Sequence, residues 1–500
     1  MKKIFLKDID HIRDYVKNKD KLVDSFFLHL DILLIIAKKR KDAIIFLALE
    51  NDNSISACGL FSKNRRRVFG SKYNSLYLYG YSFFDYNHFY CESDYEQRYL
   101  SFIREFCKFK SLDLFIIENV RKIINISNSI IIKDYTRVFN SRISENRFSY
   151  ISNKKSLKRH RNKLKNNFKY DVFHFLGNEI KNQYLNDLIK LHKERWSFDN
   201  INSSFKEIGR KYFYSTNLDN RILTIIYVND EIFALHYGMI YDDNLIWHTP
   251  VLNIKYLIYS PIEVLLYETA MFCNHNSINV LDFGLGTEKY KDRFSNQDIS
   301  LYQYFISINK LSYFRLFFFH RIKQLSLYFN IKQYLYKFYN SIRIIGNSII
   351  FYRIFSDNFI FPVKDSRLSF IKISRYVDFV DFFRERKIKV KRYHYERFIN
   401  QDIYYSLIKD DNIICSGWAK KHSIYISEIN KKIKFSQGLV LYDYYTPVKY
   451  RGKGYYTEIL RRIISSYQQV LYIYSLKKNT SSIHAISNAG FHKIKARDII

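Results

Sequence analysis

Two periods alternate along this chain. Short apolar runs closed by polar turns predict strands, and stretches with apolar residues three and four apart predict helices. Ala43-Ile-Ile-Phe-Leu-Ala-Leu49, the turn Glu50-Asn-Asp-Asn53 and the run Ile55 to Phe61 predict a hairpin. Arg221 to Val228 and Glu231 to Gly238, joined by Asn229-Asp230, predict a second. Tyr404 to Ile408 and Ile413 to Ala419, joined by Lys409-Asp-Asp-Asn412, predict a third. Single strands are expected over 76–80, 112–117, 245–252, 278–282, 424–429 and 471–474, with another that starts at Leu439 and ends near Tyr444 to Val448. Helices are expected over 95–109, 156–165, 185–196 and 376–384, and again around Ile459, Leu460, Ile463 and Ile464.

Helix starts sharpen this map. Ser260-Pro-Ile-Glu263 reads as a capping box, with Ser at the N-cap, Pro at the first helical position and Glu three residues on. Residues 305–365 are aromatic and basic with helical periodicity, and Leu311 to Lys323 is the densest part. They predict a connector whose aromatics pack on the flanking domains, with an interfacial membrane helix as the other reading. The pattern resets near Ser356-Asp-Asn358 and Pro362. Four segments follow: 1–150, 151–305, a helical connector 306–365, and 366–500.

Composition changes the picture in three ways. At 500 residues the chain exceeds one ordinary domain, and 47% hydrophobic residues supply ample core. The formal net charge of +33 suits a polyanion, a membrane surface or acidic ligands. A low-GC genome is an equal explanation, because Lys shares A/T-rich codons with the abundant Ile, Asn, Tyr and Phe. Asn64-Arg-Arg-Arg67 reads as a solvated loop, and Ser156 to Lys165 as an exposed helical face or a phosphate clamp. Cys58, Cys91, Cys107, Cys273 and Cys415 form no Cys-x-x-Cys pair, which points away from disulfide and zinc frameworks and fits a reducing compartment. The basic start lacks a sustained apolar run, and no window approaches the ~20 apolar residues of a membrane span, so a cytoplasmic protein is expected.

The stretch Leu439 to Tyr456 carries the clearest chemistry. It reads as a strand, the turn Arg451-Gly-Lys-Gly454, and a helix start. Glycines let the backbone curl close to a ligand, and unpaired N–H groups at a helix N-terminus point at an anion. A second candidate is Asp282-Phe-Gly-Leu-Gly-Thr-Glu-Lys-Tyr-Lys291, a strand end feeding a polar loop. There Asp282, Glu288, Tyr290 and Lys291 cluster in sequence, either as ligand contacts or as caps for turn amides and a helix start.

His192-Lys-Glu-Arg-Trp196, the Ser260-Pro261 helix start and the Asp282 to Lys291 stretch together resemble the CelD/BcsL-type acetyltransferases of the FemAB-like group, over roughly residues 20–305. Gly80 to Asn87 fits the same pattern. The resemblance implies a tandem of acetyltransferase-type folds, acyl or aminoacyl transfer in cell-envelope polysaccharide metabolism, and Glu288, Tyr290 and Lys291 at the ligand site. The turn Arg451 to Gly454, followed after a strand by Asn479, Ser482 and Gly490-Phe491, resembles a GNAT-family N-acetyltransferase domain. An α/β (α+β) chain of three acetyltransferase-like (GNAT) folds is therefore expected, with mixed, mostly antiparallel sheets flanked by helices.

The GNAT resemblance implies acetyl-CoA as acyl donor. It would place the backbone of Arg451, Gly452, Lys453, Gly454, Tyr455 and Tyr456 on the pyrophosphate, and Tyr444, Thr446 and Val448 along the pantetheine arm. Asn479 and Ser482 would sit near CoA or its thioester. Two departures stand out. Tyr456 replaces the usual final Gly or Ala of the turn, so its side chain must point away from the phosphates. Ile486 stands where many members carry a general-acid Tyr, which leaves Tyr474, a water or no donor at all to protonate the thiolate. Attack of a neutral amine on a thioester needs positioning above all. Asp443 and Glu428, on strands flanking the cleft, are the candidate bases. A sugar acceptor, small or carrier-linked, and a peripheral contact with the inner membrane face are the expected partners. An aminoacyl-tRNA-dependent transferase and a non-catalytic scaffold are the alternatives, and nucleic acid enters only in the first of these.

Overall fold

A computed structural model describes residues 2–17, 33–34, 36–38, 41–51, 54–79, 89–120, 124, 126, 128–144, 148, 151, 153–203, 205, 220–241, 243–286, 288–328, 348–355 and 367–495. Gly80 to Asn87, Ser356 to Asn358, Pro362 and most of the stretch 334–352 lie outside them. The chain divides into two compact units, residues 1–196 with 202–329 and residues 197–201 with 330–500.

The first unit opens with β1 (Lys2–Leu6), α1 (Ile9–Lys17), β2 (Ile44–Asn51), β3 (Ser54–Val68), β4 (Ser71–Leu78), β5 (Tyr90–Cys91), α2 (Glu96–Phe109), β6 (Leu114–Val120) and β7 (Ser129–Asn140). It continues with α3 (Lys155–Asn167), β8 (Tyr170–Leu176), α4 (Asn182–Phe198), β9 (Arg221–Val228), β10 (Glu231–Tyr241), β11 (Asn244–Leu252), α5 (Pro261–His275), β12 (Val280–Asp282), α6 (Lys289–Phe294), β13 (Gln297–Ser307) and α7 (Lys310–Tyr328). One sheet runs through it in the order β1-β2-β3-β4-β6-β13-β7-β12-β11-β10-β9-β8, with β5 on β3.

That order is two five-strand runs joined by a shared ribbon. Within each run the fourth and fifth strands lie parallel for three residue pairs, Ser75–Leu114 to Tyr77–Ile116 and Asn244–Val280 to Ile246–Asp282. A parallel pair needs a crossover, and α2 and α5 supply it. Between the runs β7 and β13 pair antiparallel over ten residues. Each strand follows its own run in sequence and inserts beside the other run's fifth strand, β13 on β6 and β7 on β12.

The second unit repeats the order in one copy. It contains β14 (Ile349–Phe355), β15 (Ser369–Ile373), α8 (Tyr376–Glu385), α9 (Arg392–Ile399), β16 (Ile403–Lys409), β17 (Asn412–Ile426), β18 (Lys431–Tyr445), α10 (Tyr455–Ser465), β19 (Val470–Leu476), α11 (Thr480–Asn488) and β20 (His492–Ile494). The sheet order is β15-β16-β17-β18-β19-β14-β20. Again the parallel pair, β18 on β19, spans three residues. The inserted strand, β14, precedes the run in sequence.

Several expectations are corrected here. Residues 349–355 form a strand inside this sheet, where helical periodicity predicts a connector. Their alternation of large apolar groups suits a strand buried on both sides as well as a helix, and pairing with β19 and β20 decides it. Asn64 to Arg67 continues β3 and pairs with β4 instead of looping. Residues 424–426 end the long strand β17 and are not a separate one. Ser260 makes no capping bond with its side chain, and its backbone is left-handed (φ 54, ψ 60). Glu263 pairs with Arg293 at 2.8 Å rather than closing a capping box.

The faces of the second sheet are covered differently. Ile459, Leu460, Ile463 and Ile464 of α10 are fully buried against one face together with Ile486 of α11. Burying each such side chain stabilises by roughly 2 kcal/mol. The other face carries an aromatic cluster in which Phe379 and Phe383 of α8 stack at 4.1 Å and meet His394, Tyr404 and Trp418.

Candidate functional site

The strand β18 kinks just after its parallel pairing ends. Trp418 opposes Tyr442 and Ser416 opposes Tyr445, so Gly417 faces two residues, Asp443 and Tyr444. This is a β-bulge, and Asp443 takes the positive φ (53) at its corner. Pairing of β18 with β19 stops at Leu441–Ile473. Beyond it β18 bonds only to β17, and β19 bonds to β14 through Tyr474, Ser475 and Leu476. The two parallel strands therefore part at their C-terminal ends.

The glycine turn lies beyond this parting. Gly452 (φ 72) and Gly454 (φ 77) are both left-handed, and nothing lies within 4 Å of where a Cβ would stand at either. Gly454 is the N-cap of α10. The first intrahelical bond runs from Glu458 N–H to the Gly454 carbonyl, so the amides just before Glu458 have no helical partner. Arg451, Gly452, Lys453 and Gly454 are exposed, and Arg451 Nε donates to the Thr446 carbonyl at 3.0 Å. An open cradle of left-handed glycines, free amides and two cations fits the pyrophosphate of a CoA-type cofactor.

Two tyrosines line the interior beside it. The Tyr444 ring lies over Gly417 and stacks on Tyr456 with centroids 5.6 Å apart. The Tyr456 side chain points into the fold, with its hydroxyl near Ser482 of α11. It leaves the turn clear, as the exchange of Gly or Ala for Tyr requires. This orientation also brings a phenol near α11 although Ile486 supplies none. Sequence reasoning missed this, since the donor comes from the helix opposite the expected one. Burial raises the Tyr456 phenol well above its ordinary range, and the nearby Ser482 works against that.

The catalytic candidates fall in one neighbourhood. Burial, then the charges of Glu428 and Asp443, raise the Tyr474 phenol, while Arg397 lowers it. Tyr474 thus stays protonated and can donate a hydrogen bond. Glu428 sits in the turn between β17 and β18 rather than on a strand, and Ser427 donates to it at 3.0 Å. Asp443 is ion-paired with Arg397 of α9, whose guanidinium lies over the Trp418 and Tyr442 rings. Asp402 was not legible in the sequence. It is buried, accepts the Tyr442 hydroxyl and lies 3.2 Å from Lys420 Nζ. Burial raises its carboxyl above the usual range, and Tyr442 and Lys420 oppose the shift.

The remaining candidates have structural partners. Asn479 caps α11 by accepting from Ser482 N–H at 3.1 Å. Thr446 donates to Cys415 Sγ at 3.3 Å, and burial pushes that thiol up to about 12, so it is not a thiolate nucleophile at neutral pH. Val448 is exposed, and Tyr455 is half-buried at the first position of α10.

The second run of the first unit repeats the bulge without the cradle. Gly238 opposes Trp247 and His248, as Gly417 opposes Asp443 and Tyr444. Ser260 occupies the left-handed N-cap of α5, as Gly454 does for α10. Pro261 then removes one amide. Asp282 accepts from Gly284 N–H at 2.9 Å and from Thr136 at 3.3 Å. Lys291 is buried, bonds the Leu285 carbonyl and pairs with Glu288 at 3.0 Å. The Tyr290 hydroxyl accepts from Trp247 Nε1 at 3.1 Å. These four residues hold the 282–291 loop in place. His236, stacked on Trp247 at 4.1 Å, is fully buried, and burial drives its pKa well below the ordinary value.

Residues 152–292 match the family model described as an acetyltransferase (GNAT) domain, so the chain carries a GNAT-type acyltransferase domain there. Among curated proteins, none matches the sequence. Similar solved structures include L-PGS from Bacillus licheniformis, 11% identical with a TM-score of 0.41, covering 64% of this chain and 97% of that one. FemX is 10% identical with a TM-score of 0.39, covering 63% and 99%. A tandem GNAT protein from the clavulanic acid biosynthesis pathway is 5% identical with a TM-score of 0.34, covering 62% and 99%. These likenesses are loose, and the fold rests on the sheet order and the family match.

Proposed function

We propose that the second unit is an acyl-CoA-dependent N-acyltransferase that passes an acetyl group to an amine acceptor. The observation that carries this reading is the coincidence of the bulge at Asp443, the parting of β18 from β19, and the open glycine cradle before α10. Bound acetyl-CoA would supply an acyl group activated as a thioester. Arg451 to Tyr456 would hold the phosphates, and the end of β18 with the segment after it, Tyr444 to Val448, would align the arm. Asp443, at the bulge, takes the proton of the attacking amine, with Arg397 fixing its carboxylate and Glu428 nearby. Tyr456, near Ser482, and Tyr474 would supply hydrogen bonds to the leaving sulfur. Positioning accounts for most of the rate.

The acceptor class rests on the CelD/BcsL-type resemblance of residues 20–305. It points to an amino sugar or related precursor of bacterial surface polysaccharide, bound by the first unit. An aminoacyl-tRNA donor for the GNAT-type domain at 152–292 is the second reading. It is favoured by the cations Lys155, Lys158, Arg159 and Lys163, exposed on α3 beside the glycine-less start of α5. The test is release of CoA thiol from acetyl-CoA when amino sugars are offered free, nucleotide-linked and lipid-linked. Acetyl transfer to one of them, lost in Asp443→Asn, supports the proposal. No thiol release with any acceptor, together with salt-sensitive binding of aminoacyl-tRNA, would transfer support to the second reading.

A further inference from the structure

We infer that α7 and the tip of the β3–β4 hairpin form a docking surface for an anionic lipid bilayer. One face of α7 is anchored. Leu316 is fully buried with Val68, Tyr73 and Phe305, and Arg315 donates to Ser71 at 3.0 Å and lies over the Tyr73 ring. The opposite face is apolar and open to solvent. Leu311 is 75% exposed, Phe314 69%, Phe318 59% and Ile322 45%. Their spacing of three, four and four residues places them on one stripe of the helix. Phe317, 42% exposed, widens it. A stripe of large side chains is a recognised sign of an interaction surface, unlike scattered exposed residues.

Charge selects the occupant. From Ile299 to Ser356 the sequence has no Asp or Glu, and Lys63 to Leu78 has none either. Lys310 and Arg321 on α7 are exposed, and Arg65, Arg67 and Lys72 on the hairpin are exposed too. The hairpin is tied to the helix through Arg315 and through Phe69, whose ring meets His320 at 4.7 Å. Large apolar groups ringed by cations on a helix lying along the protein surface match the boundary between anionic headgroups and acyl chains. A nucleic acid would use the cations but gain nothing from exposed Leu311 and Ile322. No helix among the described residues is long and apolar enough to cross a membrane, so the contact is with the surface of the bilayer. The inference is independent of the acyltransferase reading.

The test is flotation of the full chain with vesicles of phosphatidylcholine alone and of equal parts phosphatidylcholine and phosphatidylglycerol. Binding to the anionic vesicles only, weakened by added salt, is expected. The double variant Phe314→Ser/Phe318→Ser should bind at least tenfold more weakly, and Arg65→Glu/Arg67→Glu should lose the preference for phosphatidylglycerol. Both pairs are exposed, and circular dichroism checks that the variants fold. Equal binding of wild type and the Phe double variant would overturn the inference, as would no binding at low salt. So would a wild-type dimer that the Phe double variant dissociates without any vesicle binding, because a second copy would then cover the stripe. Retention on RNA, but not on vesicles, would also overturn it.

Discussion

Gly417 lies directly beneath the ring of Tyr444: a Cβ at 417 would stand 2.4 Å from two ring carbons. The absent side chain is what lets the bulged strand β18 lay Tyr444 across β17 and against Tyr456. Gly417→Ala should push the ring out of place and cost about 1–3 kcal/mol, the usual penalty for overpacking. The urea midpoint followed by tryptophan fluorescence reads this. A shift within error would mean that the ring moves freely and does not shape the slot.

Gly454 needs its freedom for a different reason. No atom crowds it, so Gly454→Ala meets only the left-handed backbone (φ 77). That costs about 1–2 kcal/mol. The variant should stay folded with a modestly lower melting temperature and weaker cofactor binding. Gly454→Asp should abolish binding, because a carboxylate beside the phosphates repels them. Equal affinity in wild type and Gly454→Asp would remove the turn from the site.

Ser260 is the mirror case. An L-residue holds the left-handed N-cap of α5, and its Oγ lies 3.4 Å from His160 Nε2, a weak contact. Ser260→Gly should therefore raise stability by a few tenths to about 1 kcal/mol. Thermal unfolding checks it, and a loss of more than 1 kcal/mol would show that the His160 contact outweighs the backbone strain.

Acid should unfold the second unit through His394. Burial, and then the charges of Arg397 and Lys391, push its pKa down to about 3. Its Nδ1 accepts the Lys391 N–H, so the neutral ring also caps α9. In the unfolded chain the ring titrates near 6.5, and there the unfolded state binds the extra proton. Stability from this site is thus complete above about pH 6.5 and falls as pH drops from there towards about 3. The limiting slope is about 1.4 kcal/mol per pH unit. His394→Gln should flatten the fall between pH 6.5 and 5 in urea titrations. An unchanged slope would assign the acid sensitivity elsewhere.

The parts of this fold that are legible in sequence are local. Asn229-Asp230 and Asp410-Asp411 both adopt positive φ at hairpin turns, as those residue types allow. The helices read from apolar spacing sit where expected to within a few residues. Non-local pairing is not written in any window. The insertion of β13 beside β6, of β7 beside β12 and of β14 beside β19 depends on strands far apart in sequence. At the site, the glycine turn was legible because its left-handed backbone favours Gly. The meeting of Tyr456 with Ser482, and the buried Asp402 under Tyr442, depend on tertiary packing. Ser260 shows the opposite error, since a residue pattern that normally caps a helix with its side chain here stands in a glycine's conformation.

Calorimetric titration of acetyl-CoA into the full chain tests the central claim most directly. One saturable site per chain is expected, lost in Gly454→Asp and retained in Ser260→Gly. Absence of binding to the wild-type chain, or binding that survives Gly454→Asp, would contradict it.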